Sequence, residues 1–166
     1  MMHILRVMLS VIVVFSVGAC TATKEKIVPI IPADIELTLE LKVNGDINPD
    51  DNNVPSPLFV RMYELKSDNA FLKAGFLDIY EKDKQLFGGD LLVKHELKHL
   101  VPGGNVISKY TLAKEARYIG VYAEFVQYKD AGYKLAVPVV KKIDGSMHLI
   151  ISVSGNSIKM DGPVSK

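Results

Sequence analysis

The sequence has almost no cysteine and no excess of charge of either sign. It contains one cysteine, Cys20, and 20 Lys and Arg residues against 19 Asp and Glu residues. A single thiol cannot form an intramolecular disulfide, so a disulfide-based scaffold is excluded. Nucleic-acid-binding proteins usually carry a basic patch and a high pI, and the balanced charge argues against that class of partner. The domain must therefore be stabilised by an apolar core.

The sequence also lacks an apolar run long enough to cross a membrane. Residues 7–17 are apolar apart from two serines, whereas a spanning helix needs roughly 20 apolar residues. Arg6 and the α-amine precede this run, and the small residues 18–19 follow it, directly before Cys20. A positive start, a short apolar stretch and small residues are typical of a secretory signal peptide. We therefore expect residues 1–19 to be removed from the mature protein.

The end of this segment resembles the bacterial lipobox. In that motif, which residues 17–20 (VGAC) match, a diacylglycerol is attached to the cysteine thiol before cleavage. Lipidated Cys20 would anchor the chain, because each buried acyl methylene contributes about 0.8 kcal/mol to membrane binding. Thr21 resembles the outer-membrane sorting class, since aspartate at this position is the usual retention signal for the inner membrane. We expect a lipoprotein on the periplasmic face of the outer membrane; the alternative is an ordinary signal peptide with a chance cysteine.

The rest of the chain divides into a tether and one domain. Residues 20–33 contain the lipidated cysteine, two prolines and mixed charges without periodicity, which is typical of a linker. As a random coil this linker would span about 20 Å, which keeps the domain close to its membrane. Residues 34–166 are long enough to form one domain with its own core.

The apolar pattern of residues 34–166 indicates β-strands. Residues 34–43 alternate between apolar and polar side chains, which places the apolar set on one face of a sheet. Residues 91–101 are ambiguous, and Pro138 predicts an edge position for its strand. Further strands are predicted at 58–65, 106–113, 118–128, 133–142, 147–154 and 157–160. About eight strands with regularly spaced turns predict a mainly β fold, a two-sheet antiparallel β-sandwich.

Residues 67–88 interrupt the strand pattern. Ser67, Asp68 or Asn69 could cap a helix, and Gly88 with Gly89 would end it. Four apolar residues recur between them at helical spacing: Leu72, Phe76, Ile79 and Tyr80. We predict a short helical insertion, of one or two helices, between the strands.

The one catalytic motif in the sequence is the run from His95 to His99 (HELKH), which fits H-E-x-x-H. In zinc hydrolases of this type the histidines bind the metal and the glutamate, here Glu96, serves as base. In a helix the apolar residues around the motif would turn both histidines towards solvent. In a strand the histidines would lie about 13 Å apart. Neither arrangement forms a zinc cleft, so a polar strand at the surface is the better interpretation.

Other catalytic signatures are absent from the sequence. It has no G-x-S-x-G elbow, no P-loop and no dinucleotide-binding glycine pattern. The single cysteine is assigned to the lipid, and His148 lies opposite the apolar face of its predicted strand. We therefore predict a protein that is not an enzyme and needs no cofactor besides the covalent lipid on Cys20.

The most distinctive surface segment is the loop of residues 45–57. Its thirteen residues include three prolines, three asparagines and three aspartates, which favour turns. Loops of this length are often functional, although a simple connection is the alternative. Prolines reduce the entropy that a loop loses on binding. The composition therefore favours a binding site.

A series of short motifs follows the lipobox in a defined order. They are Asn48-Pro49-Asp50, Ser56-Pro57, VRMYEL at 60–65, Phe71, Phe76-Leu77, FGGDL at 87–91, LVPG at 100–103 and YIGVYA at 118–123. Together they resemble the TssJ (SciN, VasD) family of outer-membrane lipoproteins of type VI secretion. One departure is Tyr133, where many members have a tryptophan.

The resemblance implies a transthyretin-like β-sandwich with an added helical element and a role without catalysis. It implies an anchored part of the envelope complex that also contains TssM and TssL. In that family the loop between the first two strands contacts the periplasmic part of TssM. Carried over to this chain, the contact falls on five loop residues: Asn48, Pro49, Asp50, Pro55 and Pro57.

Two other functions remain open from the sequence. One is a zinc hydrolase that uses His95, Glu96 and His99. The other is a sandwich lipoprotein that binds a small periplasmic ligand or a cell-wall glycan. Glycan-binding sites usually present exposed aromatic rings, and Tyr128 with Tyr133 is the only pair in the sequence that suggests such a site.

Overall fold

A computed structural model describes residues 34–140 and 145–162 of the chain. The predicted signal peptide, Cys20 and the tether lie outside these ranges. The described residues form eight strands and two α-helices, with 3₁₀ turns at Gly88–Asp90 and Tyr128–Asp130. The bounds are β1 Ile35–Val43, β2 Val60–Leu65, α1 Asn69–Lys73, α2 Phe76–Phe87, β3 Leu91–Glu96, β4 Val106–Leu112, β5 Tyr118–Ala123, β6 Lys134–Pro138, β7 Ser146–Ser154 and β8 Ser157–Met160.

The strands form two four-stranded sheets, in the orders β4-β1-β7-β8 and β3-β2-β5-β6. This architecture confirms the predicted two-sheet sandwich with a short helical insertion. Neighbouring strands are antiparallel except β1 and β7, which pair in parallel with Leu39 beside Leu149. Strand β6 is last in its sheet, so the edge position predicted from Pro138 is confirmed.

The core between the sheets consists of the inward-facing side chains, which occupy alternate positions along the strands. Strand β1 contributes the residues that its period-two pattern predicted, and β7 presents an equivalent row beside it. The buried residues of these two strands are Leu37, Leu39, Leu41, Val43, Met147, Leu149, Ile151 and Val153. Each large aliphatic side chain that is fully buried contributes about 1.5–3 kcal/mol to folding. This row therefore accounts for much of the stability of the domain.

The opposite face of the β3-β2-β5-β6 sheet is covered by α1 and α2, so β2 and β5 are buried on both sides. A second cluster, rich in aromatic rings, lies there and includes Tyr63, Phe71, Phe87 and Tyr122. The Tyr63 and Phe87 rings meet edge to face with centroids 5.1 Å apart. Gly120 of β5 lets the Phe71 ring pack closely on the sheet, because a Cβ at this position would lie 3.0 Å from that ring.

The end of α1 is held by a charged side chain from the edge strand. Lys134 Nζ donates hydrogen bonds to the carbonyl groups of Phe71 and Leu72, at 3.0 and 2.8 Å, and to that of Ala74. These carbonyls lie at the C-terminal end of the helix, where they have no partner within it. Burial lowers the pKa of the Lys134 ammonium group. The lysine thus joins the short helix to the sheet.

Several predicted strands are shorter in the structure, among them the one predicted over 133–142, which is a strand only over Lys134–Pro138. The ambiguous segment 91–101 is a strand only as far as Glu96, and the strand predicted over 118–128 ends at Ala123. Strand β5 ends where the chain turns: the Phe125 N–H donates to the Ala123 carbonyl at 3.1 Å, and the Val126 N–H donates to the Asn48 side chain at 2.9 Å. The local apolar pattern thus continues beyond the end of the strand.

Candidate functional site

Loop 45–57 lies at the end of the sandwich opposite the point where the domain begins. Strand β1 starts at Ile35 and the loop follows its last residue, Val43, after one residue. Nine residues in a strand extend about 30 Å. The loop backbone meets the β7–β8 turn, since the Asn48 N–H donates to the Gly155 carbonyl at 2.9 Å. A surface at this end projects away from the start of the domain.

Asn48 determines the conformation of the loop. It is 2% exposed and has a left-handed backbone with φ of 47°, which asparagine tolerates better than most residues. Its Nδ2 donates to the Pro57 carbonyl at 2.8 Å, and its Oδ1 accepts from the Val126 N–H at 2.9 Å. Its own carbonyl accepts from the Ser56 hydroxyl at 2.6 Å. One side chain thus joins both ends of the loop to the segment after β5.

The tip of the loop is a hydrogen-bonded turn formed around Asp50. Its Oδ1 accepts from the N–H groups of Asn52 and Val54, at 2.8 and 2.9 Å. Asn53 has a left-handed φ of 60°, and Gln127 Nε2 donates to the Asp50 carbonyl at 3.0 Å. The tip is therefore ordered by its own contacts.

The ordered loop exposes apolar groups. The side chain of Val54 is 56% exposed, and Val126 in the adjacent segment is 61% exposed. Pro55 and Pro57 are also exposed. The sequence of residues 45–57 contains three aspartates and no lysine or arginine. This end of the domain thus presents apolar side chains in a negatively charged setting, which is suited to a protein partner.

The five loop residues predicted to contact a partner differ in accessibility. Pro55 and Pro57 are exposed, and Pro49 and Asp50 are partly buried. Asn48 is buried, and both polar atoms of its side chain are engaged within the domain. Its side chain therefore determines the shape of the surface and is not part of it. The prediction of a direct contact by Asn48 does not fit this arrangement.

Sequence reasoning missed the two exposed valines. Val54 is the one aliphatic residue in the polar stretch around the tip of the loop, so its isolation was a usable signal. Val126 was hidden within a largely apolar segment that resembled a central strand. Only the chain reversal after Ala123 turns it outward.

The H-E-x-x-H residues do not form a metal site. His95 lies in β3, and its Nε2 is 2.7 Å from Oε1 of the buried Glu64, whose Oε2 accepts from the Ala113 N–H at 2.7 Å. His99 follows the strand, with its ring 3.7 Å from that of Phe59. Over 34–140 and 145–162, no group of three or more His, Cys, Asp or Glu side chains is arranged to hold a metal. His95 thus belongs to a half-buried pair, whereas the sequence had predicted a solvated polar strand.

The two tyrosines considered for glycan stacking are used in internal packing. The Tyr128 ring stacks on Phe76 with centroids 4.3 Å apart, and Tyr133 meets the same ring edge to face at 5.2 Å. Both tyrosines are half-buried. This pair is therefore not an exposed aromatic platform.

A charged network joins α2 to the outer face of the β3-β2-β5-β6 sheet. Asp83 Oδ2 is 2.7 Å from Lys94 Nζ and 3.4 Å from Arg61 Nη1, and it accepts from the Tyr63 hydroxyl at 3.0 Å. Burial tends to raise the pKa of the Asp83 carboxyl group, but these hydrogen bonds outweigh burial and leave the pKa below its usual value. Arg61 Nη2 also pairs with Glu124 Oε1 at 2.6 Å. The network fixes Arg61 and Glu124 close to the loop.

Residues 35–156 match the family model of the type VI secretion lipoproteins, which include VasD, EvfM and TssJ. The chain belongs to this family. The match spans every strand except the last, together with the helical insertion and loop 45–57. Membership confirms the family that the ordered motifs indicated. It also confirms the prediction that the protein is not an enzyme, because the family consists of structural lipoproteins.

Chains in solved structures from type VI secretion systems share the fold. The T6SS lipoprotein TssJ1 from Pseudomonas aeruginosa is 25% identical with a TM-score of 0.73, over 80% of this chain and 99% of that one. A chain of a structure described as a type VI membrane complex is 25% identical with a TM-score of 0.70, over 78% and 99%. A chain of a structure described as the TssM C-terminal domain from EAEC is 25% identical with a TM-score of 0.62, over 77% and 98%.

No protein among the curated ones matches the chain significantly. Within the described residues, the helices are all too short or too polar to cross a membrane.

Proposed function

We propose that this lipoprotein is anchored in the outer membrane through lipidated Cys20 and binds the periplasmic part of a TssM-like protein through loop 45–57. The binding connects the anchor to a type VI secretion membrane complex that also contains a TssL-like protein. The observation that carries the proposal is the ordered loop, which presents Val54 and Val126 at the end of the domain farthest from Ile35.

The geometry supports a protein contact at this end. If the tether before residue 34 leads to the membrane, a loop at the opposite end of β1 projects into the periplasm. The loop is held by Asn48 and Asp50, so it loses little conformational entropy when a partner binds. Similarity to a chain in the structure described as the TssM C-terminal domain supports TssM as the class of partner.

The experiment is a binding titration of residues 21–166 with the periplasmic part of the TssM-like protein from the same genome. We expect Val54→Asp to weaken binding by tenfold or more, because it places a charge in the centre of an apolar contact. Ile107→Asp is the matched control, since Ile107 is a similarly exposed aliphatic residue (66%) that lies outside the loop, on the edge strand β4. Equal affinities of wild type and Val54→Asp would contradict the loop assignment.

The anchor has a separate test in intact bacteria. Cys20→Ser removes the thiol to which the lipid would be attached, so the protein should no longer incorporate labelled palmitate. It should also leave the outer-membrane fraction. Retention of label by the serine variant would contradict lipidation at Cys20.

A further inference from the structure

A cleft of about 260 Å³ opens beside loop 45–57, at the end of the β3-β2-β5-β6 sheet. Its walls come from the segment that enters β2, the end of β3 and the segment after β5. The main lining residues are Phe59, Arg61, Glu96, Leu97, His99 and Glu124. Sites for drug-sized ligands usually have about 300–1,000 Å³, so this cleft is suited to a single long side chain.

The cleft carries an excess of negative charge. Arg61 is paired with both Glu124 and Asp83, and Lys94 is paired with Asp83 at 2.7 Å. With histidine counted as neutral, two cations in this network face three carboxylates. The third carboxylate, Glu96, is 3.5 Å from Lys94, and its side chain is 78% exposed. A cation that enters the cleft would therefore be attracted to Glu96.

One wall of the cleft is apolar and aromatic. Phe59 is 50% exposed, and its ring lies against that of His99 with centroids 3.7 Å apart. Leu97 adds an aliphatic surface to the same cleft. Lysine and arginine side chains combine an apolar stem with a charged end, and the cation is attracted to aromatic faces. The stem would pack on Phe59 and the charge would reach Glu96.

The cleft is continuous with the proposed partner-binding loop. Phe59 is two residues after Pro57, which is exposed at the end of the loop. Its carbonyl accepts from the Glu124 N–H at 2.9 Å, and Glu124 is two residues before Val126. A protein that covers Val54 and Val126 would thus reach the cleft with the same surface.

We propose that this cleft takes one lysine or arginine side chain of the protein that binds loop 45–57. The inference rests on the proposed function and specifies the chemistry of the partner. The partner presents an apolar surface to the loop and one basic side chain next to it. Phe59 and Glu96 hold that side chain, while Arg61 keeps Glu124 in position.

The test measures binding of the TssM-like periplasmic domain by Glu96→Gln and Phe59→Ala variants of residues 21–166. We expect each variant to bind about fivefold to tenfold more weakly than wild type. Affinity of Glu96→Gln should also depend less on salt concentration, because one charge pair has been removed. Glu81→Gln is the matched control, since Glu81 is an exposed glutamate on α2. Melting temperatures verify that each variant is folded.

The outcomes separate the two proposals. If Val54→Asp loses binding while Glu96→Gln and Phe59→Ala bind like wild type, the loop assignment stands and the cleft inference is overturned. If Glu96→Gln binds more weakly and its salt dependence is unchanged, the contact is not a charge pair and the inference also fails. If wild type does not bind the partner, both proposals are contradicted.

Discussion

The core between the sheets and the loop end of the sandwich are held by different kinds of interaction. The core depends on many aliphatic side chains, of which eight come from β1 and β7 alone. The loop end depends on a few hydrogen bonds that converge on Asn48 and Asp50. Stability is therefore distributed in the core, whereas the shape of the binding surface depends on single polar residues. A substitution in either region should reveal this difference.

The largest effect on stability is expected for a truncation in the core. Leu39→Ala removes a side chain that is 1% exposed in the centre of β1, and we expect it to lower the free energy of unfolding by about 4 kcal/mol. Urea denaturation measures this change. Ile107→Ala on an exposed position of β4 serves as control and should change stability by less than about 0.5 kcal/mol. A small effect of Leu39→Ala would contradict close packing of the core around β1.

A smaller loss of stability and a large loss of binding are expected at the loop. Asn48→Ala removes two side-chain hydrogen bonds and places alanine at a positive φ, which should lower the free energy of unfolding by about 3 kcal/mol. Partner affinity should fall by more than this stability loss explains, because the loop changes shape.

Asn48→Gly separates the two causes, since glycine accepts the backbone conformation but lacks the side chain. Urea denaturation and partner titration are run on both variants. Wild-type affinity of either variant would show that Asn48 does not determine the shape of the binding surface.

The charged network beneath α2 should show the smallest loss of stability, and that loss should depend on pH. The pKa of Asp83 is lowered in the folded state, so its contribution is fully present above the unfolded value, near 3.8. The contribution is lost as pH falls through the lower folded pKa. Asp83→Asn should lower stability by about 2 kcal/mol at pH 7 and should give a flatter acid limb. Denaturation curves between pH 2 and pH 7 test this; identical slopes for both proteins would contradict it.

The strands of the core could be predicted from the sequence more completely than the loop end. Burial on one face imposes a period of two, so β1 was predicted to within one residue and the apolar positions of β7 were assigned correctly. The family was indicated by short motifs in order, and the edge position of β6 followed from the missing N–H of Pro138. Each strand pattern and each motif consists of residues that are close together in the chain.

The features that were missed depend on residues far apart in sequence. The hydrogen bond from the Val126 N–H to the buried Asn48 side chain joins residues 78 positions apart. The pairing of His95 with the buried Glu64 requires β2 and β3 to be neighbours in register. Local pattern predicted a solvated strand around His95, and the family resemblance placed Asn48 in the partner contact, because neither contains information on these hydrogen bonds.

The proposed partner contact at the loop end can be tested directly by site-specific photo-crosslinking in intact bacteria. A photoreactive amino acid is placed at position 54 of the full-length lipoprotein and, for comparison, at position 114. Lys114 is exposed at the opposite end, 3.9 Å from Asp34. We predict a crosslink to the TssM-like protein from position 54 and none from position 114. A crosslink from position 114 alone would contradict the assignment of the loop as the binding surface.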